Sequence, residues 1–99
     1  MGKCFTTTNW RIKDGERDTF IDRWTAFLAW SRATHEGLEF VRLVADEADP
    51  LHFLSVGEWH DAAARQAWAE DPQFMEHFMP CFEACNDMQG DQFEVKVVI

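Results

Sequence analysis

The stretch Val56-Gly57-Glu58-Trp59-His60-Asp61-Ala62-Ala63-Ala64-Arg65-Gln66-Ala67-Trp68-Ala69-Glu70-Asp71-Pro72-Gln73-Phe74-Met75-Glu76-His77-Phe78-Met79 decides the fold. It starts as the end of a strand, turns abruptly into a helix at Asp61, breaks at Asp71-Pro72 and resumes as a second helical run. Asp61 is a candidate N-cap, because its carboxylate can accept from the orphan amides of the first turn. Asp71 can cap the second run with Pro72 at its first position, where a missing N–H removes no hydrogen bond. Trp59, Trp68 and His77 fall together on this corner, so the segment is expected to form one wall of any pocket.

Working outward toward the C-terminus, Gln89-Gly90-Asp91 reads as a turn and residues 93–99 as a last strand. Toward the N-terminus, residues 51–59 and 38–47 read as two strands joined by the turn Ala48-Asp49-Pro50, which is short enough to make them antiparallel. From Glu16 to Ala33 the positions Phe20, Trp24, Phe27, Leu28 and Ser31 recur at helical spacing, with Asp14 as candidate cap. Gly37 suits the left-handed position past the helix end. Residues 3–12 are rich in β-favouring types. By the two-residue period Thr8, Trp10 and Ile12 share one face and Thr7, Asn9 and Arg11 the other. The order is β-α-β-β-α-β, a ferredoxin-like α+β fold with a four-stranded antiparallel sheet, in one domain spanning residues 1–99.

These strands are apolar on both faces. Leu38 and Phe40 oppose Val41 and Leu43; Leu51 and Phe53 oppose Leu54 and Val56; Val97 and Ile99 oppose Val98. An antiparallel sheet with one wetted face should alternate cleanly. Helices can cover one face only, so the other is expected to meet a second copy of the chain. A homodimer packed sheet to sheet follows.

Composition narrows the class. Eighteen acidic against nine basic residues give a net charge of −9, a field that opposes nucleic acid and anionic membranes. No uninterrupted apolar run reaches the roughly 18 residues of a membrane span, and no charged-then-apolar leader is read, so a cytoplasmic address is expected. Three cysteines, an odd number, argue against a disulfide framework.

For chemistry, His77 leads, since an imidazole can serve as acid, base or metal ligand; packing on a mixed helix face is the structural alternative. Trp68 sits in a helix otherwise made largely of alanine, where a core anchor is the competing reading. His77, Cys81 and Cys85 are spaced i, i+4, i+8, yet Pro80 intervenes, no fourth ligand is evident, and the neighbouring phenylalanines make buried thiols a sufficient account. No metal site is therefore expected. His35 and His60 stand at element ends and should touch water. No phosphate loop and no Ser-His-Asp order is present.

The pattern Val56-Gly-Glu-Trp59, His60-Asp61, Ala64, Ala67-Trp68, Phe74, His77 resembles the antibiotic biosynthesis monooxygenase family, as do Ile12-Lys-Asp-Gly-Glu and Gly37-Leu-Glu-Phe. The resemblance implies a homodimeric α+β barrel. It also implies a small-molecule monooxygenase that oxidises an aromatic, quinol-like substrate with O₂ and without metal or flavin. His77, Trp68 and Asn9 are then the candidate catalytic residues, and Thr8, Trp24, Phe74 and Phe78 the substrate contacts. The family's haem-degrading branch uses a first-strand asparagine, a tryptophan and a histidine iron ligand. Trp68 and His77 look like the last two, whereas ungapped alignment puts Thr8 rather than Asn9 at the asparagine position. Haem binding is therefore the alternative, and a non-catalytic ligand-binding or dimerisation module a third reading.

Overall fold

The computed structural model describes residues 2–99. Its elements are β1 (Cys4–Ile12), α1 (Arg17–Thr34), β2 (Leu38–Ala45), β3 (His52–Trp59), α2 (Ala62–Ala69), α3 (Phe74–Glu83) and β4 (Cys85–Glu94). The strands form one sheet in the order β2-β3-β1-β4, every neighbouring pair antiparallel. This is the expected βαββαβ order, with the second helical unit split in two by the break at Asp71-Pro72.

The core lies between the helices and one face of the sheet. Trp10, Ile12 and Phe53 rise from the strands to meet Phe20, Trp24 and Phe27 of α1 and Cys81 of α3. Phe20 is fully buried, its ring centroid 5.1 Å from that of Trp10 and 5.4 Å from that of Phe53. Pro80 is accommodated inside α3, and its carbonyl accepts from Arg23 Nη1 at 2.9 Å. That contact ties α3 to α1.

Two local signals act as read. Asp61 accepts from the Ala64 amide at 2.8 Å, which fixes where α2 starts. Gly37 has φ +100°, and a Cβ there would stand 2.9 Å from Ala64 Cβ. Only glycine provides both that conformation and that clearance, and the Gly37 carbonyl accepts from the His60 amide at 2.7 Å.

Several expectations are corrected. β4 runs over Cys85–Glu94, and residues 95–99 carry no regular secondary structure. Gly90, expected in a turn, lies in the ladder opposite Thr8. The reason is tertiary: β1 begins at Cys4, which pairs with Glu94, so the β-favouring tail runs past the end of its only neighbour. Val97 and Val98 are 76% and 77% exposed, so they do not add to the two-faced strand pattern. Asp14 makes no cap, since Glu16 precedes α1 and makes no side-chain cap bond. α3 starts at Phe74, so Pro72 lies in the turn before it rather than in its first turn. Asp71 closes that turn by accepting from the Gln73 amide at 2.8 Å.

The sheet face away from the helices carries Phe40, Val44 and Phe93, each more than a third exposed, with half-buried Phe5, Leu54 and Val56 between them. Among the described residues no helix is long and apolar enough to cross a membrane.

Candidate functional site

Between the helices and the inner sheet face lies a cavity of about 400 Å³, within the usual range for small-molecule sites of roughly 300–1,000 Å³. Its floor comes chiefly from the inward positions Thr6, Thr8 and Trp10 of β1, Ser55, Gly57 and Trp59 of β3, and Val41 of β2, with Thr7 and Val56 and part of β4 also bordering it. Its walls are Trp24, Phe27, Leu28 and Ser31 of α1, Arg65, Trp68 and Ala69 of α2, and Phe74 and Phe78 of α3.

The aromatic wall is held in place by packing and by hydrogen bonds. Trp68 lies 5.2 Å from Trp59, 5.7 Å from Phe27 and 4.8 Å from Phe74, the last edge-on. Its indole N–H donates to Ser31 Oγ at 2.9 Å, and Ser31 in turn donates to the Phe27 carbonyl at 2.9 Å. Trp10 donates to Ser55 Oγ at 3.0 Å. With their indole N–H groups partnered, the Trp68 and Trp10 rings keep fixed orientations at no unpaired-donor cost, whereas Trp30 Nε1 is buried without a partner among the described residues. Ser55 uses an acceptor site in that bond, so its own O–H remains free to donate into the cavity. Gly57 keeps the floor open, since a Cβ there would meet Thr6 Oγ1 at 3.2 Å.

Of the expected site residues, the structure brings Trp68, Thr8, Trp24, Phe74 and Phe78 together around this cavity. His77 and Asn9 do not line it. The His77 ring stacks on Trp30, centroids 4.5 Å apart and planes 14° from parallel. Asn9 lies on the opposite sheet face, where its Oδ1 is 2.8 Å from His52 Nε2 while His52 Nδ1 is 2.9 Å from Asp46. The two-residue period already put Asn9 on the face away from Trp10. Haem held as the resemblance implies needs both residues toward one cavity, an arrangement this chain does not provide.

The remaining histidines and cysteines are accounted for by their surroundings. His35, expected to touch water, is instead bonded to Asp71 at 2.6 Å with its side chain 14% exposed. The Gln73 amide, and then the His35 ring, hold the Asp71 carboxyl below the usual range. The hydrogen bond from His52 does the same for Asp46. Burial pushes the Cys81 thiol up to about 12 and the Cys85 thiol up to about 11. Both are neutral at physiological pH and act as small apolar groups. Among the described residues no cluster of three or more His, Cys, Asp or Glu side chains is arranged to hold a metal ion.

Arg65, Ser31, Ser55 and Thr6 were not singled out from the sequence as site residues. A signal for Arg65 was present: in an alanine-rich helix whose other residues are Arg65, Gln66 and Trp68, Arg65 and Trp68 stand three positions apart and so on one face.

Solved structures confirm the fold class. SnoaB from Streptomyces nogalater, described as a cofactor-independent oxygenase, superposes with a TM-score of 0.87 over 100% of this chain and 98% of its own, at 14% identity. A conserved protein from Methanosarcina mazei gives a TM-score of 0.85 over 97% of this chain and 95% of that one, also at 14% identity. A Pseudomonas aeruginosa protein gives 0.80 over 98% and 97%, at 20% identity. No curated protein sequence matches. The family model described as "Antibiotic biosynthesis monooxygenase" matches residues 5–78, taking in both β1 and the corner that carries Trp68. A match over that much of the sequence, on the fold just described, places the chain in the antibiotic biosynthesis monooxygenase family.

Proposed function

We propose that the protein is a monooxygenase acting on an electron-rich, fused-ring hydroxyarene, with O₂ as oxidant and no metal or flavin. The observation that carries this reading is the cavity of about 400 Å³ walled by Trp24, Trp68, Phe74 and Phe78 and lined mostly by apolar residues. Flat aromatic walls select a flat aromatic guest, and the Thr8 and Ser55 hydroxyls sit on the floor where a ring oxygen can be held. The substrate supplies all four electrons. A methylene flanked by aryl rings becomes a carbonyl, one oxygen atom of O₂ ends in that carbonyl, and the other leaves as water with the two methylene hydrogens. The protein contributes orientation and exclusion of water. SnoaB, with the same fold, is described as cofactor-independent, which supports a reaction of this type here. His77 and Asn9 receive no substrate contact in this reading, because neither lines the cavity.

The test is oxygen uptake with anthrones and naphthohydroquinones in the presence of a metal chelator. With an anthrone, one O₂ consumed per ketone formed is expected, with label from ¹⁸O₂ in the new carbonyl. Trp68→Ala should slow turnover by about 10- to 100-fold through lost orientation. No uptake with any of these compounds would remove the proposal.

The same reading takes the active form to be a homodimer. The exposed Phe40, Val44 and Phe93 give the helix-free sheet face an apolar cluster among polar positions, and at ~25 cal/mol per Å² about 800 Å² of apolar cover per partner is a large stabilisation for so small a chain. Sedimentation equilibrium at micromolar concentration should return twice the 11.6 kDa chain mass. A folded, soluble single chain would contradict it.

A further inference from the structure

Among the described residues, Arg65 is the one cationic side chain in the cavity lining. Its Nε is buried and has no hydrogen-bond partner, and among the described residues its guanidinium joins no ion pair. Of the other described bases, Lys13, Arg17, Arg32 and Arg42 also join no ion pair, but each of those is exposed, whereas Arg65 is half-buried. Elsewhere Arg11 pairs with Asp49, Arg23 with Glu83, and Arg17 donates to the Pro50 carbonyl. Asp91 also borders the cavity, but it pairs with Thr7 in the ladder, on the alternate set of positions that face away from the helices.

A buried donor of a permanently charged group without an acceptor is unfavourable unless something else supplies the acceptor. Guanidinium cannot relieve this by losing its proton, and its planar fork of N–H groups matches an anionic oxygen or a carboxylate. Arg65 and Trp68 stand three residues apart on α2, so a ligand lying against the Trp68 ring brings its edge toward the guanidinium.

We infer that Arg65 is the anion-binding residue of the cavity and that the substrate is an aromatic molecule carrying an ionised oxygen, as carboxylate or phenolate. The inference rests on the aromatic-ligand reading of the cavity and narrows it: a neutral polycycle of the same shape binds more weakly than its anion.

Binding without turnover separates the two claims. Calorimetric titration of the full chain would use 2-naphthoate, a nitrated naphthol ionised at pH 7, and neutral 2-naphthalenemethanol. At least one anion is expected to bind ten times more tightly than the alcohol, and which anion does so tells carboxylate from phenolate. Arg65→Gln should remove that preference and leave the alcohol within about twofold, while Arg65→Lys keeps part of it, because charge remains without the fork. Circular dichroism checks that each variant is folded, and the Lys variant serves if the Gln variant is not. Equal affinities for all three compounds in the unmodified protein, or a preference that survives Arg65→Gln, would refute the role of Arg65 while leaving the aromatic cavity intact. Absence of binding by all three would remove both.

Discussion

Phe20→Ala is expected to destabilise the chain by about 3–5 kcal/mol, the range for emptying a buried aromatic site. Phe20 is fully buried and its ring joins α1 to Trp10 on β1 and Phe53 on β3. Its removal opens a cavity where α1 meets the sheet through tilted aromatic rings. For a domain of this size each kcal/mol moves the midpoint by about 4–8 °C, so a thermal melt should fall by roughly 15–30 °C. Phe82→Ala is the internal control. Phe82 lies on α3 and is 39% exposed, and its loss should stay within about 1 kcal/mol. A Phe20 variant that melts with the control would mean that the core is not organised around this contact.

Alkaline pH should destabilise the fold. Burial raises the thiols of Cys81 to about 12 and Cys85 to about 11 from an ordinary 9.0. Below pH 9 both states hold these protons, and the thiols contribute nothing to pH dependence. Above it the unfolded chain ionises while the folded chain does not, so stability falls as pH rises toward 11–12. The slope is about 1.4 kcal/mol per pH unit for each thiol, and between pH 8 and roughly pH 10.5 the two together should remove about 2–4 kcal/mol. Urea midpoints across that range measure the loss. A Cys81→Ala/Cys85→Ala variant should show a flatter dependence even if its stability at pH 8 is lower. A midpoint that stays level to pH 10.5 in the unmodified chain would contradict the burial of these sulfurs.

The helical corner shows how local chemistry and tertiary pairing divide the work. Asp61 acts within three residues of itself, and so does the break at Asp71-Pro72; both could be read without knowing what they pack against. Gly37 is intermediate: its positive φ is a local property, but the clearance it gives Ala64 arises only when α2 folds back over the α1–β2 corner. His35 lies further along that scale. Its partner Asp71 is 36 residues away, and no pattern around either residue announces the pair.

The order of the elements and the two sides of β1 were determined by the sequence alone, because alternation and helical spacing are properties of neighbouring residues. That included putting Asn9 on the side away from Trp10, and marking Trp24 and Phe27 as part of a buried stripe. Only the tertiary structure decided where β4 lies, because its extent is set by the length of β1 beside it and not by the β-favouring residues of the tail. It also decided which of the candidate groups share a cavity: Trp68, Thr8 and Arg65 come from separate elements and converge on it, while His77 is drawn aside onto Trp30. Convergence across such distances in the chain depends on packing, which a one-dimensional pattern does not contain.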